Sequence, residues 1–245
     1  MNSSPPPLKA VIFDLDDTLY DHLHSARHGL IELAKRFPSM QSVSVRELED
    51  RYSEALETVH VRLLQGEVDQ TTARIIRMQQ LFSSFGISVD DQSAFAEYKQ
   101  FRADYDSACQ VVDGTRNLLH RLKARNIRLA IMTNNMVSEQ WPKLQQLELT
   151  SFFDVVSISE EVGASKPDRK IFDVTLDRLE LEVNEVVMVG DSLTSDIAGA
   201  LAVGMNCVWL NRRPDLNAAA PAGVRSIAGD FSDVDSAIES IVVRA

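Results

Sequence analysis

Four groups of polar residues follow apolar stretches or sit in turns of this 245-residue chain, and together they could do chemistry. They are Asp14-Leu15-Asp16-Asp17-Thr18, Thr133-Asn134, Lys166, and Asp191 with Asp196. Carboxylates crowded at one place repel one another, and some protonate unless a cation sits between them. Oxygen ligands from Asp side chains and a backbone carbonyl suit a hard ion, Mg²⁺ above all. Lys166 adds a point positive charge, Thr133 a hydroxyl, and the turn after it backbone N–H donors. Such groups around one carboxylate cradle a phosphoryl group. The free carboxylate is then the natural nucleophile, and its attack gives an aspartyl phosphate.

Groups so far apart in sequence need a scaffold that gathers them. Short runs rich in Val, Ile or Phe occur at Ala10–Phe13, Ile127–Met132, Phe152–Ile158, Val186–Val189 and Cys207–Leu210. Continuous apolar runs of this kind read as strands of a parallel sheet buried on both faces. Helical periodicity separates them at Arg116–Arg125, Lys170–Leu179 and Ser195–Val203. Alternating strands and helices predict an α/β fold, a doubly wound (Rossmann-like) sheet of about five parallel strands. In such sheets ligands bind beyond the carboxyl ends of the strands, where the four polar groups fall. The stretch from His22 to Tyr105 lacks strand patterning. It shows helical periodicity at Ser25–Phe37, Ser44–Leu64, Thr71–Phe85 and Ser93–Tyr105. It reads as an all-helical cap over 22–105, inserted into a core of 9–21 and 106–245, with a disordered tail over 1–8.

Composition narrows the function classes. With 25 Lys and Arg against 36 Asp and Glu, the formal net charge is −11. No basic face offers itself to nucleic acid or an anionic membrane surface. No apolar run reaches membrane-spanning length. The start, MNSSPPP, has neither the basic nor the apolar stretch of a secretory signal. Cys109 and Cys207 are the two cysteines. Far apart and in apolar company, they are expected reduced and buried, which fits a cytoplasmic protein.

The polar groups, in order, resemble the four motifs of the haloacid dehalogenase-like hydrolase superfamily. Val11-Ile12-Phe13-Asp14-Leu15-Asp16-Asp17-Thr18-Leu19 is similar to the first, and Ile131-Met132-Thr133-Asn134 to the second. Ser165-Lys166-Pro167-Asp168 is similar to the third, and Val189-Gly190-Asp191-Ser192-Leu193-Thr194-Ser195-Asp196 to the fourth. The helical insertion sits where that family carries its first type of cap. The resemblance implies that Asp14 is nucleophile and Mg²⁺ ligand. It implies that Asp16 ligates through its backbone carbonyl, protonates the leaving oxygen and then activates water. Thr133 and Lys166 would hold phosphoryl oxygens, with Asn134 offering its backbone N–H. Asp191 would be a direct metal ligand, and Asp196 would act through water or through a neighbouring ligand. The cap would close over a small phosphorylated metabolite and exclude water. A monomer or weak homodimer is expected.

Asp16 separates branches of this family. A halide leaves without a proton, whereas an alkoxide leaves far better with one, so Asp16 favours phosphoester hydrolysis over dehalogenation. Met188–Asn211, ending Trp209-Leu210-Asn211, resembles the branch with pyrimidine nucleoside monophosphatases. A nucleoside 5'-monophosphate is therefore the first expectation for substrate, with phosphoglycolate or a sugar phosphate as the alternative. A phosphotransferase or mutase, or a phosphate-accepting module without turnover, are rivals from other classes.

Plainer readings stand beside these. An Asp after a strand is commonly a turn former or helix cap, and this is the favoured reading of Asp17. Asp196 could be an ordinary charge at a helix start. Thr18 is expected to shape its turn. Gly190-Asp191-Ser192-Leu193 also resembles the block of the GDSL serine hydrolases, but no histidine follows Ser192 to activate it. His24 and His28 have a zinc-compatible spacing but no completing ligand, so contact with substrate is the better reading. Phe82, Phe85, Phe95, Tyr98 and Phe101 are expected to pack the cap core. Arg212-Arg213 could reach an anionic substrate or lie in solvent.

Overall fold

The computed structural model describes residues 7–64, 67–213 and 218–242. Of the tail expected over 1–8, residues 1–6 lie outside the described residues. The chain forms two compact units, one of residues 1–21 with 110–245 and one of His22–Cys109.

The first unit is built on a six-stranded sheet: β1 (Ala10–Phe13), β2 (Arg128–Thr133), β3 (Val155–Ile158), β4 (Val186–Gly190), β5 (Asn206–Asn211) and β6 (Arg225–Ala228). Its order is β3-β2-β1-β4-β5-β6, with every neighbouring pair parallel. All four residues of β1 and all five of β4 are buried. That is what unbroken apolar runs produce when helices cover both faces. The helices of this unit are α6 (Thr115–Ala124), α7 (Val137–Gln146), α8 (Ser159–Val162), α9 (Arg169–Leu179), α10 (Ala198–Val203) and α11 (Val234–Val242). Ile171, Phe172 and Leu176 of α9 pack with Ile12, Ala130 and Met188 of the sheet and Ala200 of α10. Phe13, on the alternate register of β1, meets Phe231 edge to face at 6.4 Å.

The sheet has one strand more than the five expected. Arg225-Ser226-Ile227-Ala228 alternates half-buried and exposed at the sheet edge, so it carries no apolar run to betray it. The segment expected as a strand from Phe152 begins later, at Val155, because Thr150–Phe152 forms a 3₁₀ turn.

The second unit contains α1 (His22–Arg36), α2 (Pro38–Gln41), α3 (Val45–Leu64), α4 (Gln70–Ser84) and α5 (Asp91–Ser107). It extends to Cys109 rather than Tyr105 because α5 continues to Ser107. Asp69 and Asp90 cap α4 and α5, accepting from Thr71, Thr72 and Ser93 backbone N–H groups. Phe82, Tyr98 and Phe101 are buried among its helices, while Phe85 and Phe95 are half-buried. Gly29 lets α1 approach α5, since a Cβ there would meet the Phe101 ring at 2.8 Å.

Two structural expectations need adjusting. Cys109 and Cys207 are free thiols, as expected, but half-buried rather than buried. Burial pushes the Cys207 thiol up to about 11, which keeps it protonated and unreactive near neutrality. Arg212 is spent within the first unit, donating to the Gly229 carbonyl at 2.6 Å and to Asp21 at 2.7 Å. No helix of the described residues is long and apolar enough to cross a membrane.

Gly114, the residue that precedes α6, has φ +80, and a Cβ there would lie 1.8 Å from the Phe231 carbonyl oxygen. Gly114→Ala is expected to cost about 2 kcal/mol or more through backbone strain and this clash. Thermal unfolding would register the loss; an unchanged midpoint would contradict this packing.

Candidate active site

Strand register brings the site together. Phe13 pairs with Ile131 on one side and with Val189 on the other. Asp14 continues β1, its N–H donating to the Val189 carbonyl at 2.9 Å. It therefore stands at the carboxyl end of the central strand, with Thr133 ending β2 beside it and Asp191 following β4 on the other side. The chain runs outward from β1 to β3, then returns across β1 to β4. This reversal opens a crevice beyond the strand ends, the usual ligand position of such sheets.

Lys166 links the parts. It is 5% exposed. Its ammonium donates to Asp14 Oδ1, lies 2.7 Å from Asp196 Oδ1, and donates to the Met132 carbonyl at 2.8 Å. The ammonium thus has two hydrogen-bond acceptors and a further ion-pair partner in Asp196. Burial alone would lower the lysine's pKa, but Asp14 and Asp196 more than reverse it, so the amine stays charged. The Asn134 side chain splints the Lys166 backbone, accepting from its N–H at 2.7 Å and donating to its carbonyl at 2.9 Å. The Lys166–Pro167 peptide bond is cis.

The acidic side is equally constrained. Asp196 is fully buried and accepts from the Ser192 N–H at 3.0 Å. It sits in a π-helical turn, Leu193–Ile197, whose start is capped by the Ser192 hydroxyl. Gly190 makes this approach possible, because a Cβ there would lie 2.3 Å from Asp196 Oδ2. Asp191 is positioned by Trp209, whose indole N–H donates to its carbonyl at 2.7 Å. Carboxylate oxygens of Asp14, Asp191 and Asp196 lie within 4.8 Å of one another, and among the described residues no other such group of three occurs. The histidines of α1 form none, and His22 instead meets the Tyr105 hydroxyl at 2.6 Å.

Crowding shows in the acidities. Burial, then Asp14, Asp17 and Asp196, raises Asp191 well above the usual carboxylate range. Asp14 is pushed up to about 7, by burial first, with Lys166 pulling the other way and Asp196 adding to the rise. A hard divalent cation among these oxygens would relieve that excess of negative charge, so the donor set fits Mg²⁺.

Asp16 faces a different environment. Its Oδ1 accepts from Lys143 at 2.6 Å and its Oδ2 from the Gln140 amide at 2.8 Å. Gln140 also donates to the Thr133 hydroxyl oxygen at 2.7 Å, which leaves that hydroxyl's own hydrogen to be donated. The structure thus groups Asp14, Lys166, Asp191 and Asp196 in one cluster, and Asp16 with Thr133 in an adjoining one. Thr18 does more than shape its turn, since its hydroxyl donates to Asp14 Oδ2 at 3.2 Å. Asp17 takes a left-handed turn conformation, φ 61. Gln140 and Lys143 are absent from the sequence reading because α7 is absent from it: Pro142 in its middle argues against a helix. Their three-residue spacing on one helical face is the signal that could have found them.

A haloacid dehalogenase-like hydrolase family model matches residues 8–204, and the chain belongs to that family. It is 33% identical over 208 residues to the glyceraldehyde 3-phosphate phosphatase of Pyrococcus abyssi, spanning 82% of this chain and 81% of that one. It is 31% identical over 199 residues to the ribulose-1,5-bisphosphate 5-phosphatase of Halopiger xanaduensis, spanning 81% and 83%. The match to the pyrimidine 5'-nucleotidase YjjG of Escherichia coli is 38% over 104 residues, 42% of this chain and 46% of that one. Among solved structures, the magnesium-bound HAD-hydrolase YfnB of Bacillus subtilis superposes with a TM-score of 0.73 at 22% identity. It covers 95% of this chain and 99% of that one.

The raised pKa of Asp14 has a sign that can be tested. The metal-free folded chain holds this proton to higher pH than the unfolded chain, whose ordinary value is 3.8. The stability it contributes is complete below about pH 4 and is lost as pH rises through about 7. In EDTA, the wild type should lose thermal stability relative to Asp14→Asn across that window. A gap that does not change with pH would contradict the crowded-carboxylate account.

Proposed function

We propose that this phosphoric monoester hydrolase removes the phosphoryl group from a primary carbon of a small sugar or sugar-like metabolite, through an aspartyl phosphate on Asp14. The observation that carries the reading is the buried Asp14 carboxylate held by Lys166 at the switch point, with Asp16 two residues away on separate partners. Asp14, Asp191 and the Asp16 carbonyl would hold Mg²⁺, with Asp196 supporting them. When bound, the ion offsets charge on the phosphoryl oxygens.

The protein's own groups account for the steps. Lys166, the Thr133 hydroxyl and the Asn134 backbone N–H orient the phosphoryl group. An Asp14 oxygen attacks phosphorus as the bond to the leaving oxygen breaks, and Asp16 gives that oxygen its proton. Asp16 then takes a proton from water, which attacks the phosphorus and frees Asp14 and inorganic phosphate. Asp16 is what a halide-releasing reaction would not need.

The substrate class rests on what the relatives' named substrates share. Glyceraldehyde 3-phosphate, the 5-phosphate of ribulose bisphosphate and a nucleoside 5'-phosphate all carry phosphate on a CH₂ group of a short sugar chain. The two sugar-phosphate relatives match over most of their length, and the nucleotidase over less than half. This moves the preference from nucleoside 5'-monophosphates, the first expectation, toward free sugar phosphates.

Phosphate release from a panel of sugar phosphates, phosphoglycolate and nucleoside monophosphates, with Mg²⁺ and with EDTA, tests the reading. Strong Mg²⁺-dependent hydrolysis of a primary sugar phosphate is expected, and Asp14→Asn should lower it by several orders of magnitude. Preferential transfer to an added sugar would point to a phosphotransferase. Near-normal turnover by Asp14→Asn would overturn the proposal.

A further inference from the structure

Two aspartates two residues apart are each given their own buried lysine. Lys166 serves Asp14, and Lys143 serves Asp16. Lys143 is 7% exposed, a rare state for lysine unless paired. Its ammonium also lies 5.2 Å from the centre of the Tyr20 ring, which closes that side. Gln140, one turn earlier on α7 and fully buried, takes the other Asp16 oxygen and the Thr133 hydroxyl with the two hydrogens of one amide nitrogen. Both carboxylate oxygens of Asp16 are therefore fixed by one helix face.

The arrangement has a geometric consequence. Lys143 gives Asp16 a cation of its own, separate from the Lys166 that serves Asp14. Gln140 ties the Asp16 carboxyl to Thr133, a hydroxyl expected to touch the phosphoryl group. The distance between the group that binds phosphate and the group that handles the leaving oxygen's proton is then set by one amide nitrogen.

We propose that Gln140 and Lys143 are positioning residues that aim Asp16 at the leaving-group oxygen. The inference rests on the role given to Asp16 above.

The test is leaving-group dependence, which a merely structural role would not produce. kcat/KM reports steps up to and including phosphoryl transfer, so hydrolysis of the intermediate does not enter it. Phenyl phosphate has a poor leaving group that needs a proton, and 2,4-dinitrophenyl phosphate has one that does not. Lys143→Met should lower kcat/KM about 30-fold or more on phenyl phosphate, a fair part of a general acid's effect. On the dinitrophenyl ester it should fall within about 3-fold. Gln140→Met should show the same asymmetry to a smaller degree, and it decides the matter if Lys143→Met does not fold. Lys143→Arg should recover most of the loss. Equal loss on both esters, or none on either, would overturn the proposal. Asp16→Ala, run on the same pair, separates the two claims. If it shows no asymmetry, the acid role of Asp16 fails. If it does and the α7 variants do not, only the positioning role fails.

Discussion

One ammonium group, buried among two carboxylates and a main-chain carbonyl, holds the site of this protein together. Lys166 ties Asp14 at the end of β1, the Met132 carbonyl in β2 and Asp196 in the turn after β4 into one charge cluster. A lysine so enclosed must have partners, because an unpaired buried charge is costly. The surrounding residues make that pairing possible. Asn134 fixes the lysine's backbone, Gly190 leaves room for Asp196, and Trp209 steadies the Asp191 main chain. Parallel register brings the ends of β1, β2 and β4 level, and the loop after β3 and the turn after β4 carry Lys166 and Asp196 back to them.

Chemistry is divided by environment rather than by residue type. Asp14 and Asp16 are the same amino acid, yet their neighbours differ in kind. Asp14 lies in a buried cluster of carboxylates that raises its pKa and fits a divalent cation. Asp16 is more open and is held by a helix that contributes one cation and one amide. On the proposed mechanism, a divalent cation in the Asp14 cluster would restore the carboxylate anion that must attack, while the more open Asp16 is the group that must gain and lose a proton.

Much of this was legible in the sequence because the relevant features are local. Unbroken apolar runs ending in Asp, Thr or Gly marked β1, β2 and β4, and the polar residues at their ends are the ones the structure assembles. Three things were not legible. β6 is a half-exposed edge strand without an apolar run, α7 is disguised by Pro142, and the Thr18 hydroxyl's contact with Asp14 depends on how a turn closes. Missing α7 meant missing Gln140 and Lys143, which no motif carries. Their relevance comes from three-dimensional proximity to Asp16, 124 and 127 residues away. The substrate was not legible either, since fold and core motif are shared across many substrates.

The central claim is that Asp14 carries the phosphoryl group between its two transfers. Acid quenching during turnover of a ³²P-labelled substrate, followed by peptide mapping, tests it most directly. The account predicts label on the peptide containing Asp14, lost in Asp14→Asn and accumulating when Asp16 is replaced on a substrate with a good leaving group. Label on another residue, or active turnover with no labelled protein under conditions that preserve acyl phosphates, would contradict it.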